Sequence, residues 1–338
     1  MDIEGTILTG RDFDPVRGRV VVEDGRITAI EEERVESTDV VLPAFVNAHT
    51  HVGDSIAKEA GAGLSLDDLV APPDGLKHRL LRAASDDDLV AAMRRSLQYM
   101  QRGGTGTFLE FREGDVAGVR LLDRAAEGLD VDPVVLGRGS ADVVDVADGY
   151  GASGARDADF ERERAATREA GKLFGIHAGE RDDEDIHPAL DYDPDFLVHL
   201  VHAGEDHLDR IEREGVPAVV CPRSNLVTGV GFPPIETLAE RTTVALGTDN
   251  VMMNAPSMFR EMEFAAKLTD LDAPAVLRMA TVAGADIAGL NRGCVEPGRE
   301  AHLLVLDGDS DNLAGVQDVV RAVVRRAGVS DVKRVVLP

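Results

Sequence analysis

The residue order predicts an α/β protein built around a (β/α)8 barrel, and two observations carry that prediction. Through the middle of the 338-residue chain, short apolar runs alternate with longer charged amphipathic stretches. Strands alternating with helices imply a parallel sheet, and about eight such strands close into a barrel more naturally than they form an open sheet. Both chain ends, by contrast, read as short β-type runs separated by turn residues. With 43% hydrophobic residues the chain can bury a full core.

The elements follow in order. GTILTG and RGRVVVEDGRITAIEE open the chain as strands, and the Asp24-Gly25 pair between VVV and ITAI is a hairpin signal. VVLPAFVNA is a buried strand. SDDDLVAAMRRSLQYMQRGG is a helix that Ser85 or Asp86 can cap and Gly103-Gly104 can end. TGTFLEF is a strand, DVAGVRLLDRAAEGL a helix, DPVVLGR a strand and ADVVDVADGYG another strand. ADFERERAATREAG is a helix stopped by glycine, and KLFGIHAGE and DFLVHLVHA supply two further strands. The helix EDHLDRIEREG, the strand VPAVVCP, the helical PPIETLAER and the strand TTVALGTDN complete the alternation. EPGREAHLLVLDGD and VKRVVL return to β character.

The formal net charge is -26, which creates a field that repels nucleic acid and anionic membrane surfaces and favours a small neutral or cationic substrate. Lysine occurs only at 58, 77, 172, 267 and 333, while Asp-rich runs such as SDDDL and ERDDED recur. This composition resembles that of proteins from halophilic cytoplasm, so the acidity is assigned to a solvated surface rather than to catalysis. Two cysteines, Cys221 and Cys294, cannot make a disulfide framework. No early apolar stretch has the pattern of a signal peptide or membrane span, and the expected compartment is the cytoplasm.

FVNAHTHVGDS puts His49 and His51 at the end of an apolar run. Residues i and i+2 of a strand point to the same side, so both imidazoles can converge on one ion. Alone, the pair is equally well read as strand-end hydrogen bonding. The balance changes because His177, His199, His202 and Asp249 also stand at or near the exits of apolar runs, and in a parallel barrel those exits share one rim. Three neutral imidazoles and a carboxylate are a normal set for Zn²⁺ or Fe²⁺ with a place left for water. Such an ion lowers the pKa of that water from about 15.7 towards about 7. Glu180, three residues past His177, can carry a proton between water and substrate; its alternative role is a first-turn glutamate supporting the next helix.

The segments VEDGRITAI, LPAFVNAHTH, GGTGT, IHAGE, VHLVHAGEDHLDRIEREGVPAVVCPRSN, LGTDN and VEPGREAHLLVLD, in that order and across almost the whole chain, resemble the amidohydrolase superfamily. The resemblance is to its cytosine deaminase, guanine deaminase and triazine chlorohydrolase branch. It implies a TIM-type barrel over residues 44–296 with a small β-sandwich composed of 1–43 plus 297–338. It further implies His49, His51, His177 and Asp249 as metal ligands, Glu180 as proton shuttle, and His199 as the group that orients the attacking water. His202 is the rival of His199, and the family pattern favours His199, with His202 in the following loop or packed behind. Ser224 and Asn225 of CPRSN are expected to brace the site by hydrogen bonds. Several relatives hold a second metal through a carboxylated lysine on the fourth strand, but residues 139–171 contain no lysine, so one ion is expected. Residues 53–86, where relatives often place substrate recognition, show no ring-binding motif.

The expected activity is therefore hydrolysis of a C–N bond, the deamination of a purine-, pyrimidine- or pterin-type ring through water activated by one divalent ion, zinc ahead of iron. The alternatives are a cyclic amide hydrolase, a triazine-type chlorohydrolase or aminohydrolase, and a non-catalytic small-molecule binder. The expected partner is a small heterocycle, with no nucleic acid, no membrane, and self-association into a homo-oligomer left open.

Overall fold

Nine strands join side by side, all parallel, in the order Val244–Leu246, Ala218–Val220, Phe196–His199, Leu173–Ala178, Gly149–Ala152, Asp132–Gly137, Thr105–Arg112, Phe45–His51 and Asp249–Asn250. Only Gly247 and Thr248 separate the first and last of these in sequence, so the sheet curls round on itself, as in a TIM-type barrel. These relations come from a computed structural model that describes residues 1–71 and 73–338.

The strands are continuous apolar runs because a parallel sheet is covered on both faces. Every residue of Thr105–Arg112 and of Phe45–His51 is buried. Helices cross between them with one apolar face turned inward. Asp86–Arg102 buries Leu89, Met93, Leu97 and Met100; the Ser85 hydroxyl accepts from the Asp88 N–H at its start, and Gly103 follows its end. Phe45, Phe108, Phe174 and Phe196 are among the largest fully buried side chains.

Both chain ends meet in one six-stranded sheet with the order Val332–Val336, Leu303–Leu306, Val40–Pro43, Asp2–Thr9, Asp14–Glu23, Arg26–Glu32. The expected Asp24-Gly25 hairpin is present: Glu23 pairs with Arg26, and Asp24 and Gly25 have φ of 47° and 74°, the left-handed pair a tight hairpin turn requires.

Three strands differ from the sequence reading. VVLPAFVNA is two strands, since the chain leaves the terminal sheet after Pro43 and enters the barrel at Phe45, with the Ala44 N–H held by the His302 carbonyl at 2.9 Å. ADVVDVADGYG holds a 3-10 turn at Ala141–Asp145, and its strand is the later Gly149–Ala152. There the Asp148 carboxylate accepts the Val135 N–H at 2.8 Å, which fixes the turn before the strand begins. DFLVHLVHA ends as a strand at His199, because His199 and Leu200 both take positive φ.

Candidate metal and catalytic site

The carboxyl ends of the curled strands surround a pocket lined by His51, His177, His199, Glu180 and Asp249. Strand alternation turns His49 and His51 to one side, while Thr50 between them bonds the neighbouring strand at the Leu109 carbonyl and Glu110. His49 is completely buried against His51, Phe111 and His177, with ring centroids 4.6–4.9 Å away. His177 is the last residue but one of its strand, and His199 and Asp249 stand where theirs break, with φ of 82° and 55°. Side chains with a Cβ rarely adopt that region, at a cost of order 1–3 kcal/mol each, and such strain concentrates at functional sites.

The nitrogen and oxygen atoms converge closely. His51 Nε2 lies 3.4 Å from His177 Nε2 and 3.6 Å from Asp249 Oδ1, and His49 Nε2 lies 3.4 Å from the same oxygen. His51 Nδ1 donates to the Phe111 carbonyl at 3.1 Å and His177 Nδ1 to the Ala152 carbonyl at 2.7 Å, so each ring carries its lone pair on Nε2. Two lone pairs therefore face each other across 3.4 Å. His49 has no hydrogen-bond partner on either ring nitrogen. An orphaned buried imidazole and opposed lone pairs are both costly without a cation among them. Ligands about 2.1 Å from a tetrahedral zinc lie about 3.4 Å from one another, which matches these separations. The imidazoles and the Asp249 carboxylate gathered here therefore fit a divalent cation, with His49, His51 and Asp249 forming one close group and His49, His177 and His199 another.

Burial also sets the protonation. It lowers the pKa of His49 and His177 and takes His51 down to about 3, so the imidazoles are neutral ligands near neutral pH. Burial opposes ionisation of Asp249, but the His49 contact and the other imidazoles outweigh it and hold the carboxyl below its usual range. Glu180 moves the other way: burial raises its pKa, with His199 opposing.

Ser224 and Asn225 each hydrogen-bond a residue of the pocket. Ser224 donates to Asp249 Oδ2. The Asn225 amide donates to His199 Nδ1 at 3.2 Å, which puts the ring proton on Nε2, the atom 3.5 Å from Glu180 Oε2. His202 is exposed in the turn after the strand, and only His199 of the two reaches the pocket.

The sequence reading missed a charged cluster beside His51. Lys77 and Arg138 line the pocket, and both contact Glu113, at 2.7 and 3.2 Å. Burial opposes ionisation of Glu113, yet Lys77 first, then His51 and Arg138, hold it well below the usual carboxylate range. Asp54, fully buried nearby, is pushed up to about 7 by burial against the pull of Lys77. The signals available were a glutamate at the exit of TGTFLEF and a lysine in a lysine-poor chain.

Imidazoles and carboxylates gathered at the carboxyl ends of a curled parallel sheet are the arrangement of a metal-dependent hydrolase. The description "Amidohydrolase family" matches residues 40–181 and 167–335. A putative aminohydrolase of Archaeoglobus fulgidus is 37% identical over 95% of this chain and 92% of its own length. A 5-methylthioadenosine/S-adenosylhomocysteine deaminase of Halobacterium salinarum is 29% identical over 98% of this chain and 87% of its own. The zinc-bound adenosine deaminase structure from Xanthomonas campestris shares the fold with a TM-score of 0.80 at 19% identity, covering 99% of this chain and 91% of that one. The chain belongs to the amidohydrolase family, and it is a hydrolase.

Proposed function

We propose that the protein hydrolyses the exocyclic C–N bond of an amino-substituted N-heterocycle of purine, pyrimidine or pterin type, releasing ammonia. The observation that carries this reading is the set of short contacts His49–Asp249, His51–Asp249 and His51–His177, with Glu180 and His199 facing each other 3.5 Å apart beside them. His49, His51, His177 and Asp249 would hold one divalent ion, zinc by its donor set, and that ion supplies Lewis-acid activation of water.

The remaining steps belong to the chain. Asp249 takes one proton from the attacking water as its oxygen adds to the amino-bearing carbon. Glu180, whose hold on a proton burial strengthens, gives a proton to the adjacent ring nitrogen. His199 Nε2–H, its direction fixed by Asn225, donates to the developing oxyanion. The tetrahedral adduct then collapses: the new hydroxyl returns its proton to Glu180, and the amino group leaves with the proton held by Asp249. The two bracing residues, Ser224 and Asn225, act by fixing Asp249 and His199.

The same reading divides the chain into a terminal β-sandwich unit, 1–43 plus 297–338, and a closed (β/α)8 unit, 44–296, in a cytoplasmic enzyme acting on a small diffusible substrate. The test is elemental analysis with an ammonia-release screen across amino-heterocycles at high salt. One zinc per chain and release from at least one ring are expected. Glu180→Gln should keep the zinc and lose about 10²–10⁴-fold in turnover; full activity in that variant would sink the assignment.

A further inference from the structure

The excursion between the first barrel strand and the helix Asp86–Arg102 contains short helices at Leu66–Val70 and Leu76–Ala83. From the second of these, Lys77 reaches inward until only 2% of it is exposed. Its Nζ lies 2.7 Å from Glu113 Oε1 and 3.2 Å from Asn250 Oδ1. Each partner touches a site residue in turn. Glu113 Oε1 is 3.1 Å from His51 Nδ1, sharing that nitrogen with the Phe111 carbonyl at 3.1 Å, and the Asn250 amide donates to Asp249 Oδ1 at 3.0 Å. That oxygen is the one facing the Nε2 atoms of His49 and His51.

A buried ammonium is retained only when compensated, and here its partners are spent on the groups that aim two donors from opposite ends of the barrel segment. A carboxylate on the far nitrogen of a ligating imidazole fixes its tautomer and rotation and makes it a better ligand.

We propose that Lys77 and Glu113 are a positioning pair through which the 52–83 excursion sets the metal affinity of the site: Glu113 aims His51, and Lys77 aims both Glu113 and, through Asn250, Asp249. The pair rests on the metal-site reading above. Neither residue touches the reacting atoms. The lysine anchor of the pocket wall and the cation site are thereby one device, so that loss of that anchor changes how tightly the metal is held.

The test measures zinc affinity of the metal-free full chain by chelator competition, together with the visible spectrum of the cobalt-loaded protein, in Glu113→Gln, Lys77→Met and Leu69→Ala. Folding is checked by circular dichroism. Each variant leaves compensating groups in place: Arg138 at 3.2 Å and Arg112 at 3.9 Å for Glu113, and Asp54 at 3.7 Å for Lys77. Leu69→Ala loosens the same excursion through apolar contacts only. The expected result is about 10–100-fold weaker zinc binding and a shifted cobalt spectrum in the first two, and neither change in the third. Wild-type affinity and spectrum in folded Glu113→Gln and Lys77→Met overturn the pair, as does an equal loss in Leu69→Ala. Wild-type protein that binds no zinc overturns the metal-site reading itself, and the pair with it.

Discussion

At and beneath the floor of the pocket, His49, His51, His177 and Asp249 ride on parallel strands paired within one curled sheet; beside them, the wall carries the helices Leu66–Val70 and Leu76–Ala83, of five and eight residues. The floor donors are placed by backbone register, so their spacing follows from strand period and pairing. The wall is placed by side chains: Lys77 on Glu113 and Asn250, and Leu69 in a small apolar cluster with Ala57 and Met252. The difference separates two tasks. Backbone ladders fix chemistry, and side-chain contacts leave a recognition surface that can be altered without disturbing the strands.

The sharpest way to break the contrast is on the floor. Asp249→Asn should abolish zinc retention and lower turnover by at least about 10³-fold, measured by elemental analysis and ammonia release, with the thermal unfolding transition still cooperative. Retained zinc and activity would mean that register does not place the essential donors.

A middle-sized effect is expected at the seam. Glu110 is fully buried, accepts the Val52 N–H at 2.8 Å, and is pushed up to about 8 by burial. Its folded pKa lies above the unfolded value, so its contribution to stability is complete below about pH 4.5 and is lost as pH rises towards about 8. Urea unfolding at fixed salt should show wild type losing stability relative to Glu110→Gln by about 1.4 kcal/mol per pH unit across that window. Parallel pH profiles for the two proteins would contradict it.

The smallest effect belongs to the wall. Leu69→Ala should cost about 2 kcal/mol and raise KM several-fold at little change in kcat, read by denaturant melts and steady-state kinetics. A collapse of kcat would make the wall part of the chemistry.

The floor was legible from the sequence because its information is local: HTH obeys the two-residue period, and His177, His199 and Asp249 each close an apolar run. The alternation of elements likewise pointed to the parallel curled sheet. The wall was not legible, since Lys77 meets Glu113 and Asn250 across 36 and 173 residues of sequence, and nothing in GLKHRL announces that its lysine turns inward. The strand at Gly149–Ala152 was misplaced for a related reason. Val143 and Val144 are buried in a turn, so apolarity there reports packing and not strand geometry.

The passage from terminal sheet to barrel at Ala44 has a consequence for biosynthesis. Val40–Pro43 lies between Asp2–Thr9 and Leu303–Leu306, and Phe45–His51 takes Asp249–Asn250 as a neighbour. His49 and His51 thus stand on a strand with one neighbour, Thr105–Arg112, near it in sequence and the other, Asp249–Asn250, about two hundred residues further on. A nascent chain shorter than 249 residues holds no complete donor set, and one shorter than 306 lacks the strand that clamps the passage. The proposed cation site is therefore complete only once the segment through Asp249 has been made.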